Sequence, residues 1–236
     1  MSNTAKYFCL DRIVSPENEV NESALEGAIS RSKYQRWQPG DTLHVAFLEG
    51  FSMVQQRIAY YAQQWEQYAN ILFRFDNHPE AKIRIAFQPG VGTWSTVGTD
   101  AEKIPAYEPT MNFDDLTPNS SEEEFSYYAL HEFGHVLGMV HEHQSPKGGI
   151  KWNKAVVKES FEHFPEEYFA GGRDKWFERN IFRKYNFLQA RASTFDPTSI
   201  MAYYIPREWT LNSVETHRNV TLSETDKRFI RKWYPW

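Results

Sequence analysis

Much of what this chain must build follows from one run of twelve residues, His131-Glu-Phe-Gly-His-Val-Leu-Gly-Met-Val-His-Glu142. His131 and His135 are four residues apart, so on an α-helix both imidazoles project from one face about one turn apart. Two imidazoles so placed share a zinc ion, and Glu132 between them reaches the water on that ion. Gly138 lets the backbone leave the helix in a left-handed conformation that a residue with Cβ adopts only at a cost. The chain then turns back and brings His141 in as a third ligand from another direction. Three protein ligands and one open position make a catalytic zinc site, whereas structural sites are closed by four. HExxH alone is short enough to arise by chance on a surface helix. With Gly138 and His141 at fixed spacing, in a chain of only eight histidines, chance is a poor explanation. The other histidines, His44, His78, His143, His163 and His217, have no ligand spacing, and His143 reads as a cleft-wall or solvent residue.

A helix has to carry this motif, and Ser121 with Glu124 supplies a capping box for one from 122 to about 138. Upstream, residues 42–48 alternate Leu43, Val45 and Phe47, the pattern of a half-buried strand. Ser52 with Gln55 caps a helix to about residue 69. Strands over 71–76 and 81–87 follow, the second with Ile83, Ile85 and Phe87 facing away from Lys82 and Arg84. Residues 94–98 form a short irregular strand. Residues 109–113 form another, whose leading Pro109 suits a sheet edge. The order predicts an α+β fold in which a twisted mixed sheet is backed by two helices. Beyond His141, helices are expected over 153–164 and 174–184, then mostly irregular chain over 186–222. Ser223 and Asp226 cap a last helix over 224–233. Upstream of residue 36 the sequence reads as an N-terminal extension, with a short helix around 24–30.

Composition narrows the partners. With 41% hydrophobic and 16% aromatic residues the chain is globular, and a net charge of −5 without a long basic run argues against nucleic acid. No segment approaches the ~18–20 apolar residues of a membrane span. The N-terminus, Met1-Ser-Asn-Thr-Ala-Lys-Tyr-Phe-Cys9, lacks the apolar core of a secretory signal. The expectation is synthesis in the cytoplasm, with export that needs no such signal, delivery as an effector, or prior removal of a leader as the ways out. Cys9 is the only cysteine, so no intrachain disulfide forms and stability rests on packing and metal.

With its glycine and third histidine intact, the motif resembles the metzincin clan of zinc endopeptidases, and Ser199-Ile-Met-Ala-Tyr-Tyr204 looks like the clan's Met-turn. Glu142 after the third histidine, and Tyr203 two residues after Met201, resemble astacins in particular. Leu222-Ser-Glu-Thr-Asp226 and Tyr234-Pro235 are similar to the last astacin helix. The resemblance implies a two-lobed zinc peptidase over residues 36–236, upper lobe 36–141 and lower lobe 142–236, with the cleft between them and residues 1–35 as the extension. It implies one Zn2+ on His131, His135 and His141, with Glu132 as general base. Met201 would lie beneath the ligands, and Tyr203 would be a distant further ligand and oxyanion donor. Gly138 and Glu142 would be structural at the site. A protein or peptide substrate would lie extended along an edge strand at Thr110, Met111 and Asn112, adding itself to the sheet. A monomer is expected. Two departures limit the transfer of specificity: the disulfides of animal astacins cannot form, and His143-Gln-Ser-Pro146 replaces their arginine-containing continuation.

Cys9 lies upstream of that domain, and a thiolate is a good zinc ligand that would fill the open position and hold an enzyme latent. Matrixins are restrained this way, although their surrounding motif is absent from Tyr7-Phe-Cys-Leu-Asp11. Asp11 is a second candidate, because astacin propeptides use an aspartate. A small buried hydrophobe is the plain alternative for Cys9. Two further readings of the whole chain are a zinc-binding module without catalysis, which has no use for Glu132, and a zinc hydrolase acting on something other than peptides.

Overall fold

The computed structural model describes residues 9–12, 36–169, 171–185 and 194–236. The helix expected around 24–30 lies outside them. Strands β1 (Cys9–Arg12), β2 (Thr42–Phe47), β3 (Leu72–Phe75), β4 (Ile83–Ala86), β5 (Thr93–Thr96) and β6 (Met111–Asn112) form one sheet. Their order is β1-β5-β6-β4-β2-β3, and every pairing is parallel except that of β5 with β6. Helix α1 (Ser52–Ala62) packs on α2 (Glu122–Val136), and α2 also packs against β5. The expected mixed sheet backed by two helices is therefore present.

Two expectations about the sheet do not hold. Residues 110–112 are not at an edge: β6 lies between β4 and β5, and Thr110, Met111 and Asn112 are buried. Pro109 sits ahead of the strand, where no ladder donor is needed, so it carries no information about the edge. From Thr110 on, both sides are bonded: Thr110 N donates to Arg84 O (2.9 Å) and Thr110 O accepts from Thr96 N (2.9 Å). The edge position beyond β5 is held by β1, with Cys9 opposite Thr93 and Arg12 opposite Thr96. Secondly, Arg84 does not face solvent. It is buried, and its guanidinium donates to the carbonyls of Ala81 (2.9 Å), Ile104 (3.2 Å), Pro105 (3.1 Å) and Glu108 (2.7 Å). Desolvation lowers its pKa, and the carbonyl dipoles take over the work of water in holding the charge.

Helix α1 starts one residue earlier than a Ser52 cap requires. Phe51 is the N-cap and no side chain caps it; the Gln55 amide instead donates to Glu49 O (3.0 Å) and Gly50 O (3.2 Å). Past Ala62 the helix tightens into a 3₁₀ turn through Gln67. The Ser121–Glu124 capping box on α2 forms in both directions, at 3.2 and 2.8 Å. In the second half α3 (Lys154–Glu159) and α4 (Arg173–Phe177) are shorter than expected, and α4 runs into a π-helical turn, Glu178–Phe182. Helix α5 (Glu224–Trp233) has the expected Ser223–Asp226 cap.

Two cores result. The larger gathers Val54, Ile58, Trp65, Phe73, Phe125, Phe133 and Met201, and α5 returns to it through Ile230 and Trp233. The smaller is aromatic, with Phe161, Phe169, Trp176, Phe177, Trp209 and Tyr203. Each such ring, fully buried, stabilises by about 1.5–3 kcal/mol before entropy is counted. Residues Phe125 to Val136 of α2 are all buried, so the motif helix is covered on every side rather than lying on a surface. Among the described residues no helix is long and apolar enough to cross a membrane.

Candidate metal centre

The motif helix ends in a Schellman arrangement. Met139 N donates to Gly134 O (3.0 Å), Gly138 N donates to His135 O (2.8 Å), and Gly138 has φ +90°. Carbonyls that the helix end would orphan receive side chains instead. Trp37 Nε1 donates to Val136 O (2.8 Å) and the Tyr234 hydroxyl to Leu137 O (2.9 Å). Burial keeps the Tyr234 phenol protonated by raising its pKa. Both partners are far away in the chain, so the reversal that delivers His141 is set by the whole fold.

His131, His135 and His141 are buried, and one nitrogen from each lies within 4.8 Å of the others. His131 Nδ1 is 2.7 Å from Ile200 O, and His135 Nδ1 is 2.8 Å from Met139 O. A carbonyl only accepts, so each Nδ1 carries the hydrogen and each Nε2 keeps its lone pair for a metal. His135 Nε2 and His141 Nε2 are 3.2 Å apart. Zinc–nitrogen bonds of ~2.0–2.1 Å at a tetrahedral angle place two nitrogens about 3.3–3.4 Å apart, so this donor set fits one zinc ion. Glu132, on the same helix, is fully buried.

Met201 lies beneath the helix. A Cβ built on Gly134 would fall far inside contact distance of its sulfur, and 3.4 Å from Met201 Cε and Trp65 Cζ2. The turn that carries Met201 is held from α5: Asp226 accepts from Ser199 Oγ (2.6 Å), Ile200 N (2.8 Å) and its own cap's Ser223 N (2.9 Å). Since Ile200 O receives His131, the cap of the last helix orients the carbonyl that orients the first ligand. Glu142 closes the ring of contacts, with its N–H on Met201 O (2.9 Å) and its carboxylate accepting from Asp196 N (3.0 Å). Burial, together with the charges of Asp226 and Asp196, pushes the Glu142 carboxyl up to about 8 despite that N–H.

Tyr203 is buried against two neighbouring imidazoles, its ring centroid 4.2 Å from His141 and 4.2 Å from His143. Sequence reasoning missed His143: it is fully buried, with Nε2 3.0 Å from Asn180 O. Its proximity to His141 was the only signal, and ligand spacing was the wrong criterion for a residue that packs. Of the other residues singled out, Gly138, Glu142 and Met201 gather around the triad. Thr110, Met111 and Asn112 lie inside the sheet, and Cys9 is placed by its backbone in β1.

Neither a protein-family model nor a curated protein matches the chain. Solved structures do. A structure of myroilysin is 37% identical with a TM-score of 0.82, covering 88% of this chain and 98% of that one. A crystal structure of myroilysin is 34% identical with a TM-score of 0.68 over 96% and 91%. The high choriolytic enzyme 1 of Oryzias latipes (medaka fish), a hatching enzyme zinc-protease, shares the fold at 17% identity, with a TM-score of 0.56 over 86% and 96%. A match at this identity along nearly the whole chain, joined to a buried triad with zinc spacing, leads to one conclusion: this chain belongs to the astacin-like metzincin zinc metallopeptidases.

Proposed function

We propose that this zinc endopeptidase cleaves internal peptide bonds of proteins with Glu132 as the general base, and that its N-terminal segment restrains it. The observation that carries the hydrolytic reading is the convergence of three buried imidazoles, two of them turned inward by Nδ1 hydrogen bonds. Zinc held there supplies a Lewis acid and makes a water it binds acidic near neutral pH. Glu132 takes a proton from the attacking water and hands it to the amine as the C–N bond breaks. Tyr203 donates its hydroxyl to the carbonyl oxygen as negative charge grows there. Met201 serves as the Met-turn methionine, an apolar floor under the ligands.

A substrate lying extended along a sheet edge is held by backbone hydrogen bonds and needs neither of its termini in the site. With residues 110–112 interior, β5 is the strand such a substrate would use. The pairing of Cys9–Arg12 along β5 supports restraint, because β1 and a substrate strand compete for the same backbone groups. Cys9, or Asp11 two residues on, would then be the residue that takes the open position on zinc.

Glu132→Gln tests the hydrolytic reading. The variant is expected to hold one zinc per chain and to leave an unfolded protein substrate uncut. Retained cleavage would remove Glu132 from its role.

A further inference from the structure

Tyr203 is held by something besides the metal centre. Its ring lies as close to His143 as to His141, at 4.2 Å to each, with interplanar angles of 32° and 55°. The flatter contact is therefore with His143, which also stacks on His141 at 5.4 Å and 24°. Trp152 meets the His143 ring edge-on, at 6.1 Å and 86°. A phenylalanine would fill such an apolar slot at no polar cost, whereas a buried imidazole costs free energy unless it is hydrogen-bonded. The partner is Asn180 O at 3.0 Å, in the π-helical turn Glu178–Phe182. That turn is closed by an i→i+5 bond, Arg183 N to Glu178 O (2.8 Å). Its neighbours grip the same strap: Gln144 Nε2 donates to Arg179 O (2.7 Å), and Tyr185 N donates to Gln144 O (2.9 Å). Single π-turns inside helices are rare and recur at functional sites.

We infer that His143, anchored on the Asn180 carbonyl of the π-turn, is a positioning residue for Tyr203, presenting the ring face that aims the Tyr203 hydroxyl at the reacting carbonyl. This rests on Tyr203 acting through its hydroxyl. The π-turn sets the plane of His143, and His143 sets the plane of Tyr203.

A double-mutant cycle on the full chain tests this, with kcat and KM on an internally quenched peptide, zinc content and melting temperature all read. His143→Leu is expected to lower kcat on the order of tenfold, as small misplacements of catalytic groups do, with KM within about twofold and zinc content unchanged. His143→Phe, which keeps a ring face, is expected to recover most of the loss. In a Tyr203→Phe background His143→Leu should cost less than about twofold, because residues acting in series do not add. Should His143→Leu fail to fold, His143→Gln, which keeps a donor but no ring, replaces it in the same comparison with the same expectation. Equal losses in both backgrounds, or loss of zinc in step with activity, would overturn the inference while Tyr203 kept its role. Full activity of Tyr203→Phe alone would overturn the Tyr203 reading and this inference with it.

Discussion

Replacing Gly134 by alanine sets two known effects against each other. Within a helix, alanine in place of glycine stabilises by about 0.5–1 kcal/mol through backbone entropy. At this position the added methyl would overlap the Met201 sulfur and press on Met201 Cε and Trp65 Cζ2, each 3.4 Å away. Trp65 cannot yield easily, because its Nε1 donates to Leu130 O (3.0 Å) inside the same core. Met201 has to move, and its side chain is flexible, so the overlap should cost about 1–3 kcal/mol, the usual range for overpacking, rather than prevent folding. The net expectation for Gly134→Ala is a destabilisation of about 0–2.5 kcal/mol. Met201→Ala alone opens a cavity and should cost about 2–5 kcal/mol. The double variant places one methyl where part of the methionine stood, so its cost should fall short of the summed single costs by about 1 kcal/mol or more. Denaturant melts of the four proteins, each with and without chelator, measure this directly. Additive costs would show that Met201 does not press on the motif helix, and would remove the physical basis for calling it the floor of the site.

The Glu142 carboxyl, pushed from its ordinary 4.5 up to about 8, has a definite sign. Above about pH 4.5 the unfolded chain gives up a proton that the fold retains, so stability falls as pH rises and levels off beyond about 8. In the metal-free protein the parent should lose up to a few kcal/mol across that window, since one retained proton costs at most about 1.4 kcal/mol for every pH unit crossed. Glu142→Gln should slope less steeply than the parent, because the buried Asp226 carboxyl, also raised, keeps its own contribution. A parent whose melting temperature does not change between pH 5 and 8 would contradict this. Removing the thiol tests restraint by the N-terminal segment: Cys9→Ala should raise initial cleavage rates of the full chain at unchanged zinc content. Identical rates would return Cys9 to the role of a small apolar residue.

What could be read from the sequence was governed by local rules. The Ser121–Glu124 and Ser223–Asp226 caps, the left-handed Gly138 and the four-residue histidine spacing each depend on a few consecutive residues, and each is found in place. The position of β6 was not legible, because an edge is defined by what lies beside it. That neighbour is β5, antiparallel to β6, itself covered by a strand from about eighty residues upstream. Arg84 misled for a related reason: alternation assigns a charged residue to water, and most of the carbonyls that replace water come from loop residues 104–108. His143 and the π-turn were invisible to pattern reading, since a single buried imidazole over a distant carbonyl has no period.

The proposed activity is hydrolysis of peptide bonds within a protein chain, by a site whose His131, His135 and His141 would hold one zinc. Cleavage products of an unfolded protein, identified by mass after incubation with the native enzyme, with chelator, and after return of one equivalent of zinc, test it most directly. Internal fragments that vanish with chelator and return with zinc are the predicted result. Cleavage that persists in chelator, or trimming confined to the substrate's ends, would contradict it.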